Sequence, residues 1–185
     1  MKVKKIISFN FKFFVSLIVT FFLLSNFTSE NSRTVASTSV EKIYPRNYFR
    51  SPLNIPLYLS GTFAEMRPNH LHSGIDIRTN SVEGLPVFAV ADGYVSRVRI
   101  QAVGFGNSIY VTHPNGFVSV YAHLQKYTVR KNQKVKRGDV IGYVGTSGTS
   151  TAPHLHYEVI KGKRKVNPVY YYFNDLTPEE YDKML

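Results

Sequence analysis

The chain has 185 residues, 43% of them hydrophobic and 14% aromatic, with 23 Lys and Arg against 12 Asp and Glu and no cysteine. That is enough apolar material for one globular domain of ordinary size. The missing cysteine excludes disulfides and a lipidated cysteine anchor, so packing or a metal must hold the fold.

Residues 1–30 read as separable. Lys2, Lys4, Lys5 and Lys12 precede an apolar run of 12 residues from Phe13 to Leu24, and a polar stretch from Ser25 to Ser39 follows. A spanning helix wants about 20 apolar residues, so this order predicts a secretory signal and an exported protein of the periplasm or cell envelope. No small-x-small cleavage pattern follows Leu24, which makes an uncleaved N-terminal anchor, with membrane association through the N-terminus, the competing expectation. Without residues 1–35 the chain keeps 18 basic against 11 acidic groups, a net of +7. Such a balance suits an anionic envelope polymer or a membrane surface. Nucleic acid would suit the charge too, but export and the lack of a recognition motif argue against it.

Residues 31–56 are polar and proline-bearing towards their end, and are expected to be a linker leading into a domain over 57–173. Within that domain Pro86 to Ala91, Asp92-Gly93 and Tyr94 to Ile100 read as strand, tight turn, strand. Ser108 to His113, Pro114-Asn115-Gly116 and Phe117 to His123 predict a second hairpin, and Val140 to Val144 a further strand. Lys161-Gly162-Lys163-Arg164-Lys165 reads as a solvated turn between strands. No helical periodicity longer than a turn or two precedes residue 174, so the expected fold is all-β, a small antiparallel sheet domain. Thr177-Pro178-Glu179-Glu180 has the order of a capping box, which predicts a short helix within a tail over 174–185.

The stretch with most chemistry is Ala152-Pro153-His154-Leu155-His156-Tyr157-Glu158-Val159. β-Branched and aromatic neighbours favour an extended backbone, in which His154 and His156 project from one face while Leu155 and Tyr157 take the other. The upstream run His72-Ser73-Gly74-Ile75-Asp76-Ile77 repeats that logic. As a strand it aims His72 and Asp76 together, with Gly74 between them leaving room for an ion or a substrate backbone, and turns Ile75 and Ile77 inward. Catalytic zinc takes three imidazole or carboxylate ligands and keeps a fourth position open. His72, Asp76 and one of His154 or His156 meet that count. His123 ends the strand in which Val118, Val120 and Ala122 alternate with Ser119, Tyr121 and His123, so alternation places it on the more polar face.

Three runs, His72-Ser73-Gly74-Ile75-Asp76, Tyr121-Ala122-His123-Leu124 and Gly145 to Glu158, together resemble the lysostaphin and LytM type of zinc endopeptidase, from about Gly61 to Val159. Val135 to Gly142 also resembles that family's turn and strand before the glycine-rich loop. The resemblance implies a small antiparallel β-sheet groove with one zinc ion at its floor, bound by His72, Asp76 and His156. It implies His123 and His154 as unligated catalytic partners, and hydrolysis of peptide bonds in bacterial peptidoglycan as the activity. The chain departs from the family's glycines at Asn132, which tolerates a left-handed backbone, and at Ala152, which does not.

On this reading zinc makes a water proton acidic near neutral pH and polarises the scissile carbonyl. His123 and His154 divide proton acceptance and oxyanion stabilisation between them. Glu158 shares the face of His154 and His156, either behind a ligand where it orients an imidazole or paired with a nearby Lys. Arg67 is a candidate for holding a substrate carboxylate, with a plain surface salt bridge as the alternative. His70 is expected at the groove wall or in solvent, since a fourth ligand would close the open position. His113, beside a turn, is expected at the surface. The glycines of 142–149 fit tight turns beside a groove, because a phosphate loop would need a Lys-Ser/Thr ending and a following helix. Two other classes use the same residues. One is a catalytically silent regulator of cell wall hydrolases, and the other a metal- or glycan-binding module, which would need neither His123 nor His154 near the ion.

Overall fold

The computed structural model describes residues 48–173. The expected signal or anchor over 1–30, most of the linker and the helical tail over 174–185 lie outside the described residues.

Among the described residues there are twelve strands: β1 Leu59–Gly61, β2 Met66–Arg67, β3 His70–Leu71, β4 Ile75–Arg78, β5 Pro86–Phe88, β6 Gly93–Arg99 and β7 Asn107–Thr112. Then come β8 Phe117–Tyr127, β9 Lys134–Val135, β10 Val140–Val144, β11 His154–Lys161, β12 Arg164–Val166 and a five-residue helix α1 Val169–Phe173. Ten strands form one sheet in the order β1-β4-β11-β8-β7-β6-β9, with β10 joining β5 to β8 and β12 on β11, while β2 and β3 pair separately. Every pairing is antiparallel, as the all-β reading expects.

Alternation places the core. Ile75 and Ile77 of β4, and Leu155, Tyr157 and Val159 of β11, are buried with Tyr121 and Leu124 of β8. Each such aliphatic side chain contributes roughly 1.5–3 kcal/mol by leaving water. The intervening residues of β4 and β11 take the opposite face, and the register sets His156 against Asp76 and His154 against Arg78. The β7–β8 hairpin forms as its Asn115-Gly116 turn predicts, with Gly116 at φ 80°. Gly162, at φ 62°, likewise turns β11 into β12.

Three expectations need correction. Asp92-Gly93 does not close a hairpin, because β5 pairs with β10 while β6 pairs with β7 and β9. Ala89, Val90 and Ala91 are all buried, so the chain passes through the core there, and Asp92 Oδ1 accepts from the Arg137 backbone N–H at 2.8 Å. Residues 72–76 are not one strand, since β4 starts only at Ile75. The described end of the expected linker also packs on the core: Phe49 is 4% and Leu53 2% exposed, and the Arg50 N–H donates to Val90 O at 2.9 Å.

Backbone conformation at the two departures from glycine matches their chemistry. Asn132 sits at φ 67°, whereas Ala152 avoids the left-handed region.

Candidate metal centre and active site

Asp76 reaches the centre from β4, His156 and His154 come from β11, and His72 from the segment between β3 and β4. His72 Nε2, Asp76 Oδ1 and His156 Nδ1 form a triangle with edges of 3.0, 3.2 and 2.9 Å. Tetrahedral zinc with bonds of about 2.0–2.1 Å sets its ligand atoms about 3.3 Å apart, so the triangle fits such an ion.

The other ring nitrogens decide which atoms are free to coordinate. His72 Nδ1 lies 2.7 Å from Thr62 O, and a carbonyl can only accept, so Nδ1 carries the proton and Nε2 presents a lone pair. His156 Nε2 lies 3.2 Å from Glu158 Oε1, which by the same argument frees Nδ1. Two lone pairs and a carboxylate oxygen thus converge in a buried place, an arrangement that favours a positive charge, proton or metal, between them.

Charge around the cluster supports this. Burial alone would raise the Asp76 carboxyl, but the contacts with His156, His72 and Arg67 outweigh it and hold Asp76 well below the usual carboxylate range. Burial opposes charge on His156 as well, yet Asp76 and Glu158 on either side raise it above an ordinary imidazole. The centre attracts positive charge, and proton and metal compete for the same nitrogen.

His123 and His154 complete the floor. Their ring centroids are 4.9 Å apart, and His123 is 5.8 Å from His156. His123 Nδ1 donates to Ser147 O at 2.9 Å and His154 Nδ1 to Ala152 O at 2.8 Å. Each ring therefore keeps Nε2 for chemistry, and His154 Nε2 lies 3.6 Å from Asp76 Oδ1. Burial pushes the His123 pKa down to about 4 against the Ser147 hydrogen bond, so the ring is neutral at pH 7.

Simple alternation misplaces His123. Ser119 and Tyr121, its expected companions, are fully buried in the core, and His123 would have followed them. Pairing of Asn107 with Leu124 and Ile109 with Tyr121 sets three β8 steps against two β7 steps, which marks a bulge. His123 occupies it at φ 60°, and its N–H donates to Phe105 O at 2.9 Å. The extra residue leaves Leu124 in the core and puts the imidazole in the groove, at a backbone cost of about 1–3 kcal/mol.

Glu158 makes both of the contacts expected of it, to an imidazole and to a lysine. It is 1% exposed, contacts His156 Nε2, accepts from Lys165 Nζ at 2.9 Å and is bonded by the Ser73 hydroxyl. Burial would raise its pKa, and the partners His156, Ser73 and Lys165 outweigh it.

Other candidates move. Of the two expectations for Arg67, substrate binding and a salt bridge, the structure shows ion pairing within the protein: its Nη2 binds Asp76 Oδ2 at 2.8 Å and its Nε binds Glu65 Oε1 at 2.9 Å. The guanidinium thus holds one oxygen of Asp76 and leaves Oδ1 facing His72 and His156. Gly74 does not leave room for an ion: a Cβ there would lie 2.3 Å from Tyr157 O, so its space serves strand packing. His113 is not a surface residue. At 2% exposure it lies 2.8 Å from Asp92 O and 2.9 Å from Ser119 Oγ, which in turn lies 3.0 Å from Tyr121 Oη. His70 is exposed, lines the groove and pairs with Asn69 at 2.6 Å, outside the ligand cluster.

Sequence reasoning missed Ser73, Lys165 and Phe105. The Phe105 ring is 5.0 Å from that of His156 and 5.6 Å from Lys165 Nζ, so it walls the ligand off from solvent. Its flanking glycines were the available signal: Gly106 has φ 61°, and a Cβ on it would meet Ser147 Oγ at 2.3 Å. Gly148, at φ 76°, packs as closely on Gly104, and a Cβ on Gly145 would meet the Gln125 backbone at 2.4 Å, so close approach accounts for both glycines.

A His-Asp-His cluster that could hold a metal ion lies with two tethered imidazoles on the floor of an open groove of about 860 Å³. Residues 70–168 match peptidase family M23, and the chain belongs to it. The DD-carboxypeptidase/endopeptidase Mpg of Neisseria meningitidis serogroup B is 42% identical over 99 residues, which are 54% of this chain and 22% of that protein. Among solved structures, a zinc containing peptidase from Vibrio cholerae is 34% identical with a TM-score of 0.59, covering 65% of this chain and 39% of that one. Lysostaphin from Staphylococcus simulans is 27% identical with a TM-score of 0.59, covering 64% and 50%. The chain spans about a quarter of the length of the curated relatives it matches.

Proposed function

We propose that the protein is a zinc endopeptidase that hydrolyses peptide cross-links of bacterial peptidoglycan, with one zinc ion held by His72, Asp76 and His156. The observation that carries this reading is the 2.9–3.2 Å ligand triangle beside two imidazoles whose Nδ1 protons are both tied to backbone carbonyls. A metal-binding module without chemistry has no use for that second pair. The names of the relatives support the substrate: Vibrio cholerae ShyA, 36% identical over 128 residues, is a peptidoglycan DD-endopeptidase.

When bound, zinc supplies Lewis acidity, which makes a water proton acidic near neutral pH and polarises a carbonyl oxygen. Neutral His123 takes the water's proton at Nε2 and returns it to the leaving amine. His154 faces the same space, and in its doubly protonated form, with Nδ1–H on Ala152 O, its Nε2–H donates to the developing oxyanion, a contact worth roughly 3 kcal/mol. Phe105 keeps bulk water from His156. Arg67 and Glu158 hold Asp76 and His156 so that neither ligand has to reorganise during the reaction.

The basic start and the apolar run of residues 13–24 support export to the periplasm or cell envelope. Cell fractionation with an epitope at the C-terminus tests that, and a cytosolic pool alone would contradict it. For the activity, purified peptidoglycan is digested and the products are analysed by mass. New amine ends that vanish with a strong chelator and return with zinc are expected. Binding without cleavage would replace the enzyme by a wall-binding regulator.

A further inference from the structure

Arg78 is the last residue of β4 and lies two positions beyond Asp76, so both side chains leave the strand on the groove face. Cross-strand pairing sets it opposite His154. The two residues on its own strand that face away, Ile75 and Ile77, are buried in the core, which fixes this orientation. Arg78 is exposed and lines the groove with Asn80 and Ser81.

Its charge is not matched. The groove's other arginine, Arg67, is neutralised by Glu65 and Asp76, whereas Arg78 has no ion-pair partner among the described residues. The rim around it is shaped by fixed backbone. Asn80 and Ser81 sit at φ 51° and 64°, and Thr79 Oγ1 donates to Pro153 O at 2.9 Å, tying the end of β4 to the start of β11. A rigid wall thus presents one unpaired guanidinium about 7 Å along the strand from a metal ligand, a separation of about two residues of extended peptide.

We propose that Arg78 is the groove's substrate anchor and holds a carboxylate carried by the peptide within about two residues of the bond that is cut. This rests on the reading of the groove as a peptidase site. A guanidinium fork matches a carboxylate in two parallel hydrogen bonds, so Arg78 selects acidic peptides over their amidated counterparts. The carboxylate has two sources in a cross-linked wall peptide: the chain end, or the carbon that bears the leaving amine.

The test uses the zinc-loaded full chain and three synthetic cross-linked peptides with one scissile amide: both carboxylates free, only the chain-end group amidated, or only the group beside the leaving amine amidated. Amidation of the bound carboxylate lowers kcat/KM of the wild type about tenfold, chiefly through KM, and shows which source is used. In Arg78→Gln the ratio of kcat/KM between the free acid and the peptide amidated at the bound carboxylate falls to about one, while Arg78→Lys keeps part of the preference. Equilibrium binding to His123→Ala gives the same ratio without turnover, and His123→Ala/Arg78→Gln loses it. Discrimination that survives Arg78→Gln, or its absence from the wild type, overturns the anchor. If the wild type cuts no peptide and the binding preference still depends on Arg78, the peptidase reading fails and the anchor stands. If neither cutting nor preference is seen, both fail.

Discussion

Arg67 Nη2 and Asp76 Oδ2 form a 2.8 Å ion pair, while the other oxygen of Asp76 faces His72 and His156. The pair divides the carboxylate, with one oxygen for the guanidinium and one for the metal. Arg67→Met removes that hold and should weaken zinc binding by about 10–100-fold. Competition against a chelator of known affinity measures it. Arg67→Lys restores part of the loss, and undiminished affinity in Arg67→Met would show that Asp76 needs no such support.

The two histidine classes separate in a single experiment. His123→Ala and His154→Ala should retain one zinc per chain and lose about 10²–10⁴-fold in turnover, the range of a lost general acid or base. His72→Ala should lose the metal as well. Metal content by mass spectrometry beside turnover on purified peptidoglycan reads both, and full activity in both of the first two variants would end the division of labour.

Two glycines near the centre should fail in different ways. A Cβ on Gly61 would lie 2.5 Å from Asp76 Oδ2 and 2.7 Å from Arg67 Nη2, so Gly61→Ala pushes this ion pair apart and should cost zinc affinity first. On Gly74 the clash is with the Tyr157 carbonyl of β11, a backbone atom that cannot swing aside. Gly74→Ala should therefore lower the melting temperature, with a loss of about 2 kcal/mol or more. Thermal melts with and without zinc separate the two effects, and equal losses in the metal-free protein would contradict the assignment.

Acid should destabilise the fold through His113. Burial pushes its pKa down, against the pull of the Asp92 carbonyl and carboxylate. The unfolded chain, with histidine near 6.5, then binds a proton at higher pH than the folded chain, so stability is complete above about pH 6.5 and falls as pH drops below it. His123 acts in the same direction and His156, whose pKa is raised, in the opposite one. The informative quantity is thus the difference between wild type and His113→Gln. Melting temperatures at pH 5 and 7.5 should show a shallower acid slope in the variant, and identical slopes would mean that His113 is not held neutral.

Much of the centre is legible in the chain because its signals are local. Alternation in β11 is enough to place His154, His156 and Glu158 on one face and Leu155, Tyr157 and Val159 on the other. Asn115-Gly116 announces its hairpin, because the turn puts Gly116 at φ 80°, which glycine takes at no steric cost. Asp92-Gly93 carries a similar signal and joins no hairpin, since the buried Ala89, Val90 and Ala91 commit the chain to a path that local pattern does not register.

By itself, then, the sequence determined the longer strands, the three motifs and the side chains that could ligate zinc, since these follow from backbone period and residue chemistry. Only the tertiary structure decided how they act together. A bulge that breaks alternation brings His123 to the groove, pairing across 80 residues sets His156 on Asp76, and a neighbouring carboxylate withdraws Arg67 from substrate while Arg78 stays unpaired among the described residues. These outcomes depend on which segments lie side by side, and distance in space is the one quantity that spacing along a chain does not encode.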